Sequence, residues 1–313
     1  MTSSLTRRTP EQAASARRTQ HFTHDLDFSR EQLLRVLELA GKIKDEPERY
    51  TGVLHDQYLT LLFEKPSLRT RLTFELAMKQ LGGDSVSVIG PIGGREPVKD
   101  VARNLDRWTQ GIVARVFHQT TIEELTQWTG IPVVNALSDV YHPCQALADA
   151  QTLKEHFGQW DGLTVTYVGD GNNVAHSLML TLSRLGVRVR IASPKGYEPK
   201  AEVLEQAREL GEVSVSNDPV AAVQGADAVY ADVWASMGQE QEAEVRRGIF
   251  LPFQVNEALM EQAGRDAAFM HCLPAHRGEE VTDGVIESPR SLAFDQAENR
   301  LHAQKALLVE LLA

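Results

Sequence analysis

Apolar residues recur along this chain with two different periods, and the two periods take turns. Short β-prone runs such as Tyr58-Leu59-Thr60-Leu61-Leu62-Phe63 are followed by longer stretches in which apolar positions return every three or four residues. The first helical pattern covers residues 29–43, where Leu33, Leu34, Val36, Leu37, Leu39 and Ala40 form one stripe. Strands are then predicted at 59–63, 85–89, 112–117 and 131–135, with helices through 72–81, 98–110 and 122–128 and a further one running from the 141–149 stretch to about 157. Beyond the glycine-bounded segment 158–162 a second alternation begins. It has strands at 163–168, 187–192, 213–216, 228–231 and 268–271, helices at 173–185 and 200–209, and a terminal amphipathic helix at 297–312. Strands separated by helices cannot pair through tight hairpins, so this spacing requires parallel sheets. The predicted fold is α/β, with two doubly wound parallel-sheet domains, a cleft between them and a C-terminal helix returning to the first. The expected boundaries are a flexible tail at 1–20, a first domain at 21–157, a second at 158–296 and the returning helix at 297–313.

Composition narrows what such a fold can do. The 313 residues suffice for two cores of ordinary size, and a net charge of −11 argues against a general nucleic-acid binder, which needs a positive field. Any anion site must therefore be local. No apolar run approaches the roughly 20 residues of a membrane span, and the first residues lack the apolar core of a signal peptide, so a cytoplasmic protein is expected. Two cysteines, Cys144 and Cys272, are too few for a disulfide framework or a zinc cluster, and no structural metal is expected. Residues 1–20 are rich in Ser, Thr and Arg with Glu11 as their one acid, a composition shared by transit peptides and by frayed tails, and a frayed tail is expected.

The chemistry concentrates after strands. Phe63-Glu64-Lys65-Pro66-Ser67-Leu68-Arg69-Thr70-Arg71 lies where the first strand turns into a helix, with Ser67 placed as N-cap. Free backbone N–H groups, the positive helix end, two guanidiniums and two hydroxyls converge there, which makes a phosphate site. Arg115 ends another strand, and His142 and Gln145 stand one helical turn apart, able to grip one small polar group together. Gly169-Asp170-Gly171-Asn172-Asn173 superficially resembles a dinucleotide fingerprint, but Ser193-Pro194 stands where the ribose-binding acid belongs, so Asn173 is read instead as a carboxylate holder. Asp232 follows a strand and precedes a loop closed by Gly238, where it can receive an ammonium group. His271-Cys272 lacks the partners of a Cys/His protease. Ligands in open parallel sheets bind beyond the carboxyl ends of strands, and these clusters all fall there, which implies a single site between the domains.

Taken in order, these motifs resemble the aspartate/ornithine carbamoyltransferase family, and within it the ornithine branch. Ser67-Leu68-Arg69-Thr70-Arg71 is similar to the carbamoyl-phosphate motif S-T-R-T-R, and His142-Pro143-Cys144-Gln145 to its H-P-x-Q. Asp232-x-Trp234-x-Ser236-Met237-Gly238 and His271-Cys272-Leu273-Pro274 with Ala275-His276-Arg277-Gly278 mark the ornithine branch, and Glu298-Asn299-Arg300 near the end also matches. The resemblance implies carbamoyl transfer from carbamoyl phosphate to the δ-amine of L-ornithine, with no cofactor, no nucleic-acid or membrane partner, and a homotrimer or a multiple of it. By the same resemblance Ser67, Leu68, Arg69, Thr70 and Arg115 would hold the phosphate, and His142 and Gln145 the carbamoyl group. Cys272, the Leu273 carbonyl and Arg300 would border the reacting centre, while Asn173, Asp232, Ser236 and Met237 would hold ornithine. Arg69, Arg115, His142, Asp232 and Cys272 are the implied catalytic set. Leu68 departs from the pattern, since the family usually has Thr there, and the 90–97 loop offers no residue that can be matched. Two other readings use the same residues. A carbamoyltransferase for another amine, such as an acylated ornithine or putrescine, is opposed by Ser236-Met237-Gly238. A non-catalytic ligand-binding homologue is opposed by the joint presence of Arg69, Arg115, His142, Asp232, Cys272 and Arg300.

Overall fold

A computed structural model describes residues 19–235 and 243–313. Most of the expected tail, residues 1–18, lies outside the described residues, as do Ser236 and Met237.

The amphipathic stripe folds as α1 (Arg30–Asp45), which starts one residue later than the pattern because Ser29 is its N-cap, in a reciprocal capping box with Gln32. A four-stranded parallel sheet follows: β1 (Tyr58–Phe63), β2 (Asp84–Ile89), β3 (Gly111–Arg115) and β4 (Val133–Leu137), in the order β2-β1-β3-β4. Its connecting helices are α2 (Leu68–Gln80), α3 (Val98–Trp108) and α4 (Gln119–Gln127). The strand expected at 131–135 is displaced by two residues, since Pro132 has no N–H to give to the ladder and contributes only its carbonyl, to Ile112. Helix α5 (Pro143–Phe157) ends at Gly158, whose φ of 75° lets it close the last turn in the left-handed region.

The second sheet is also parallel, with β5 (Thr164–Val168), β6 (Arg188–Ala192), β7 (Val213–Ser216), β8 (Ala228–Ala231) and β9 (Ala268–His271) in the order β7-β6-β5-β8-β9. Its helices are α6 (Asn173–Ser183), α7 (Ala201–Leu210), α8 (Pro219–Val223), α9 (Ala243–Phe250), α10 (Glu257–Ala263) and α11 (Asp283–Ile286). The terminal helix α12 (Ala293–Leu312) begins about one turn earlier than its apolar pattern suggests, because no side-chain cap announces its first turn. It packs against α1, α2 and α5, the return to the first sheet that the sequence predicts.

Both sheets share one continuous core. Leu59, Leu61 and Phe63 of β1, Val165 and Tyr167 of β5, Leu178 and Met179 of α6, and Ala306 and Leu307 of α12 belong to the same buried apolar cluster. Each sheet reverses its winding once, between β1 and β3 and between β5 and β8. The carboxyl ends flanking those two switch points are where the functional side chains lie.

Candidate active site

A cleft of about 880 Å³ lies between the sheets. Its first wall begins at Ser67, which caps α2 by accepting the Thr70 N–H at 3.3 Å, as the sequence predicts. Ser67, Leu68, Arg69 and Thr70 line the cleft. Arg71 is not among the lining residues: successive helical residues point about 100° apart, and its guanidinium turns to Glu75 at 2.8 Å. The second guanidinium of this wall comes instead from Arg115 at the end of β3, and a third from Arg300 of α12, whose Nη2 donates to the Thr70 hydroxyl at 3.1 Å. Among the described residues no carboxylate forms an ion pair with Arg69, Arg115 or Arg300. Burial, then the Arg300 and Arg69 charges, push Arg115 down to about 10. Burial lowers Arg69 and Arg300 as well. Three partly desolvated guanidiniums held together with no directly paired carboxylate among the described residues are a strong demand for an anion.

His142 stands beside them, buried, with its backbone N–H on the Ser177 hydroxyl at 2.9 Å. Desolvation, helped by Arg300, Arg115 and Arg69, holds this imidazole well below the usual histidine range, so it is neutral at pH 7 and keeps one N–H to donate. Gln145 lies just behind the lining, its Oε1 accepting from Arg300 Nη1 at 2.6 Å.

The opposite wall is braced rather than bare. Asn172 caps α6, and its Nδ2 donates to Asp232 Oδ2 at 2.7 Å. The Cys272 thiol donates to Asp232 Oδ1 at 3.0 Å. Burial and the neighbouring Asp232 charge raise the Cys272 pKa well above its ordinary value, so the thiol stays protonated and is not poised as a nucleophile. Asn173 opens α6 as expected and reaches across to the other sheet, donating to the Ser138 carbonyl at 2.7 Å. Leu273 takes a left-handed backbone, φ 56°, and is followed by a cis peptide to Pro274. Its N–H donates to His271 Nδ1 at 2.9 Å, which leaves His271 Nε2–H to donate to the buried Glu280 at 3.2 Å.

The six strand-end clusters therefore do meet in one cleft, through Ser67 to Thr70, Arg115, His142, Asn173, Asp232 and Cys272. Leu68 and Leu273 line it too, and Leu68 is 70% exposed, which makes it a cleft residue and not a core one. Sequence reasoning gave no role to Asn172, Asp149, Glu280 or Gln296. Gln145 to Asp149 is an i, i+4 pair and was legible; the other three act through contacts from 9 to 147 residues away and leave no local pattern. One group among the described residues has metal-ligand spacing, His276, Glu279 and Glu280, with atoms within 4.8 Å of one another. Glu279 is paired with Arg247, and Glu280 Oε1 accepts from His271 and from the His276 N–H, so these acids already have protein partners.

Two parallel sheets with a cationic strand-end site facing a braced carboxylate define an α/β enzyme that joins an anionic donor to a second, cationic substrate. The family described as aspartate/ornithine carbamoyltransferase matches through its carbamoyl-P binding domain over residues 20–155 and its Asp/Orn binding domain over 161–311. An ornithine carbamoyltransferase of Anoxybacillus flavithermus is 51% identical over 297 residues, covering 91% of this chain and 94% of that protein. One of Thermococcus kodakarensis is 51% identical over 295 residues, covering 90% and 93%. The solved ornithine carbamoyltransferase of Pyrococcus furiosus superposes with a TM-score of 0.91 at 48% identity, covering 94% of this chain and 97% of that one. The chain belongs to the aspartate/ornithine carbamoyltransferase family.

Proposed function

We propose that this protein transfers the carbamoyl group of carbamoyl phosphate to the δ-amine of L-ornithine, giving L-citrulline and phosphate. The observation that carries the reading is the set of three guanidiniums, Arg69, Arg115 and Arg300, facing the Asp232 carboxylate across one cleft. The phosphate takes the α2 N-terminus with Ser67, the Leu68 N–H, Arg69, Thr70 and Arg115. The carbamoyl oxygen meets the His142 N–H, with Arg115 and Thr70 near it, and the carbamoyl amide meets the Gln145 carbonyl, which has a second lone pair beside the one used by Arg300. Asn173 with the Ser236-Met237 loop holds the amino-acid end of ornithine, and Asp232 with Cys272 and the Leu273 carbonyl receives the δ-amine.

The amine must lose its proton before it attacks. Its nitrogen then bonds to the carbonyl carbon, and the developing oxyanion is stabilised by donors already aimed at it. The C–O bond to phosphate breaks, and the proton shed by nitrogen leaves with phosphate or solvent. No group in this scheme acts as a strong base; alignment of the two bound substrates and stabilisation of the oxyanion lower the barrier.

The active form is read as a homotrimer, or a multiple of it, working in the cytoplasm. Among the described residues no helix is long and apolar enough to cross a membrane. Leu72 and Leu76 of α2, with Val86, Val88 and Ile89 of the edge strand β2, stay exposed, apolar surface that a second copy would cover. Residues 21–157 would bind carbamoyl phosphate, and 158–296 the acceptor. Incubating purified protein with carbamoyl phosphate and ornithine, acetylornithine or putrescine tests the reading: ornithine should be carbamoylated far faster than the others. Preference for another amine would overturn the acceptor assignment, and no turnover of any would overturn the activity.

A further inference from the structure

Behind the cationic wall lies a chain of hydrogen bonds that none of the roles above uses. Asp149, on α5 one turn beyond Gln145, is completely buried. Its Oδ1 accepts from Gln145 Nε2 and from Gln296 Nε2, each at 2.8 Å, and its Oδ2 accepts from the Tyr230 hydroxyl at 3.1 Å. Gln296 Oε1 in turn accepts the His271 backbone N–H at 2.8 Å.

The two carboxamides could each be turned either way in isolation, but here both ends of the chain are fixed. A backbone N–H can only donate, so the Gln296 oxygen must face His271 and its amide must face Asp149. A guanidinium can only donate, so the Gln145 oxygen must face Arg300 and its amide must face Asp149. Asp149 is the one group between them that accepts on both sides. Burial raises its pKa to about 6, while the two amide N–H groups and the hydroxyl that converge on its oxygens favour the ionised, acceptor-only form.

We propose that Asp149 is a positioning residue that holds Gln145 with its carbonyl oxygen on the cleft side, and that this orientation makes the site select a carbamoyl amide over a methyl ketone of the same shape. Were Gln145 turned round, its NH2 would confront both Arg300 and the carbamoyl NH2, three donors with no acceptor. Through Gln296 the same carboxylate ties α5 to the end of β9, where Cys272 sits, so the donor side and the acceptor side of the site share one anchor. The inference rests on the reading of Gln145 given above.

The test uses the full-length protein and two stable probes that differ only at the group in question: phosphonoacetamide, which carries the NH2, and acetonylphosphonate, which carries CH3 in its place. Inorganic phosphate is the third. Calorimetry on the wild type should show the amide bound about tenfold more tightly than the ketone, the equivalent of one hydrogen bond. In Asp149→Ala the preference should fall to within about twofold while phosphate affinity changes by less than about twofold. Asp149→Asn, which can keep its oxygen toward both Gln amides and turn its NH2 to the Tyr230 oxygen, should restore most of the preference. If Asp149→Ala does not fold, Asp149→Ser is read the same way. An undiminished preference in the Ala or Ser variant overturns the proposal, as does a parallel fall for all three probes, which marks a purely structural role. A wild type that binds phosphate but does not distinguish amide from ketone removes the Gln145 reading itself, a separate failure.

Discussion

The two walls of the cleft handle charge in opposite ways. On the first, Arg69, Arg115 and Arg300 lack carboxylate partners among the described residues, and burial and mutual repulsion lower Arg115 to about 10. On the second, both oxygens of Asp232 are already bonded, one by Asn172 and one by Cys272. The first wall is thus built before its ligand arrives and is destabilised until it does. The second is satisfied without a ligand, and an incoming ammonium must displace or share bonds that already exist. A site made this way should bind its anion by preformed electrostatics and its amine by exchange.

The largest effect comes from unbalancing the first wall. Arg69→Ala should weaken carbamoyl-phosphate binding by roughly ten- to over a hundredfold, since charge-assisted hydrogen bonds contribute about 1.5–3 kcal/mol each. Because Arg69 repels Arg115 and Arg300, the same variant should keep or slightly raise its melting temperature without ligand. Titration calorimetry and a thermal melt check both parts. Unchanged affinity, or a large drop in melting temperature, contradicts the idea of a wall strained toward its ligand.

The contrast also orders the two substrates. Three guanidiniums without a carboxylate ion pair among the described residues repel the ammonium group of ornithine, and a bound dianion removes that repulsion, so carbamoyl phosphate should bind first. A coupling of about 1–3 kcal/mol corresponds to ornithine binding about 5- to 150-fold more tightly with a phosphonate analogue present. Equilibrium dialysis giving equal ornithine affinity with and without the analogue would show the walls to be independent.

The walls differ equally in how far the sequence revealed them. The first is encoded locally: Ser67 to Thr70 and His142 to Gln145 are contiguous, and capping and helical spacing suffice to place them. What local reasoning missed there is instructive. Arg71 carries the right charge but points to Glu75, and the guanidiniums that join Arg69 instead are Arg115 at the end of β3 and Arg300, 230 positions from Thr70 on the terminal helix. The bracing of the second wall is almost wholly long-range, as in Asn172 on Asp232 and Gln296 on Asp149. The central strands β1, β3 and β8 were legible because buried parallel strands are mostly apolar, and the edge strands β2 and β7 by their alternation of Ser and Val. The short helices α8 to α11 were not, since helices of a turn or two carry too few apolar positions to show a period, although Asp218-Pro219 and Asn256 are start signals that match their caps.

On the second wall the expected change is smaller, because the partners of Asp232 remain. Asp232→Asn keeps one acceptor and loses the charge, which exchanges a charge-assisted bond for a neutral one. That difference, about 1–2 kcal/mol, should raise the ornithine KM by about 5- to 30-fold and lower kcat, with carbamoyl-phosphate affinity near that of the wild type. Steady-state kinetics with each substrate varied in turn would show it. An equal loss for both substrates would place Asp232 in the shared framework and not on the amine.

The smallest effect tests the residue that departs from the family pattern. Leu68 sits at the first helical position of α2, where the family usually places a threonine, and its side chain is 70% exposed at the cleft. It is therefore not a packing residue, and replacing it leaves no cavity. Its backbone N–H remains available to phosphate whatever side chain is present, so one hydroxyl contact is all that the leucine forgoes. Such a contact contributes about 0.5–1.5 kcal/mol, too little to abolish binding beside Arg69, Arg115 and Arg300. Leu68→Thr should lower the KM for carbamoyl phosphate by a factor of about 2 to 10, leave the ornithine KM within about twofold, and leave the melting temperature without ligand unchanged. Kinetics and a melt with and without a phosphonate analogue decide the matter. A variant that melts lower with no gain in KM would mean that Leu68 is buried in the assembled protein, by a neighbouring copy lying over the exposed strip of Leu72, Leu76 and β2, and that the missing hydroxyl has no place in this site.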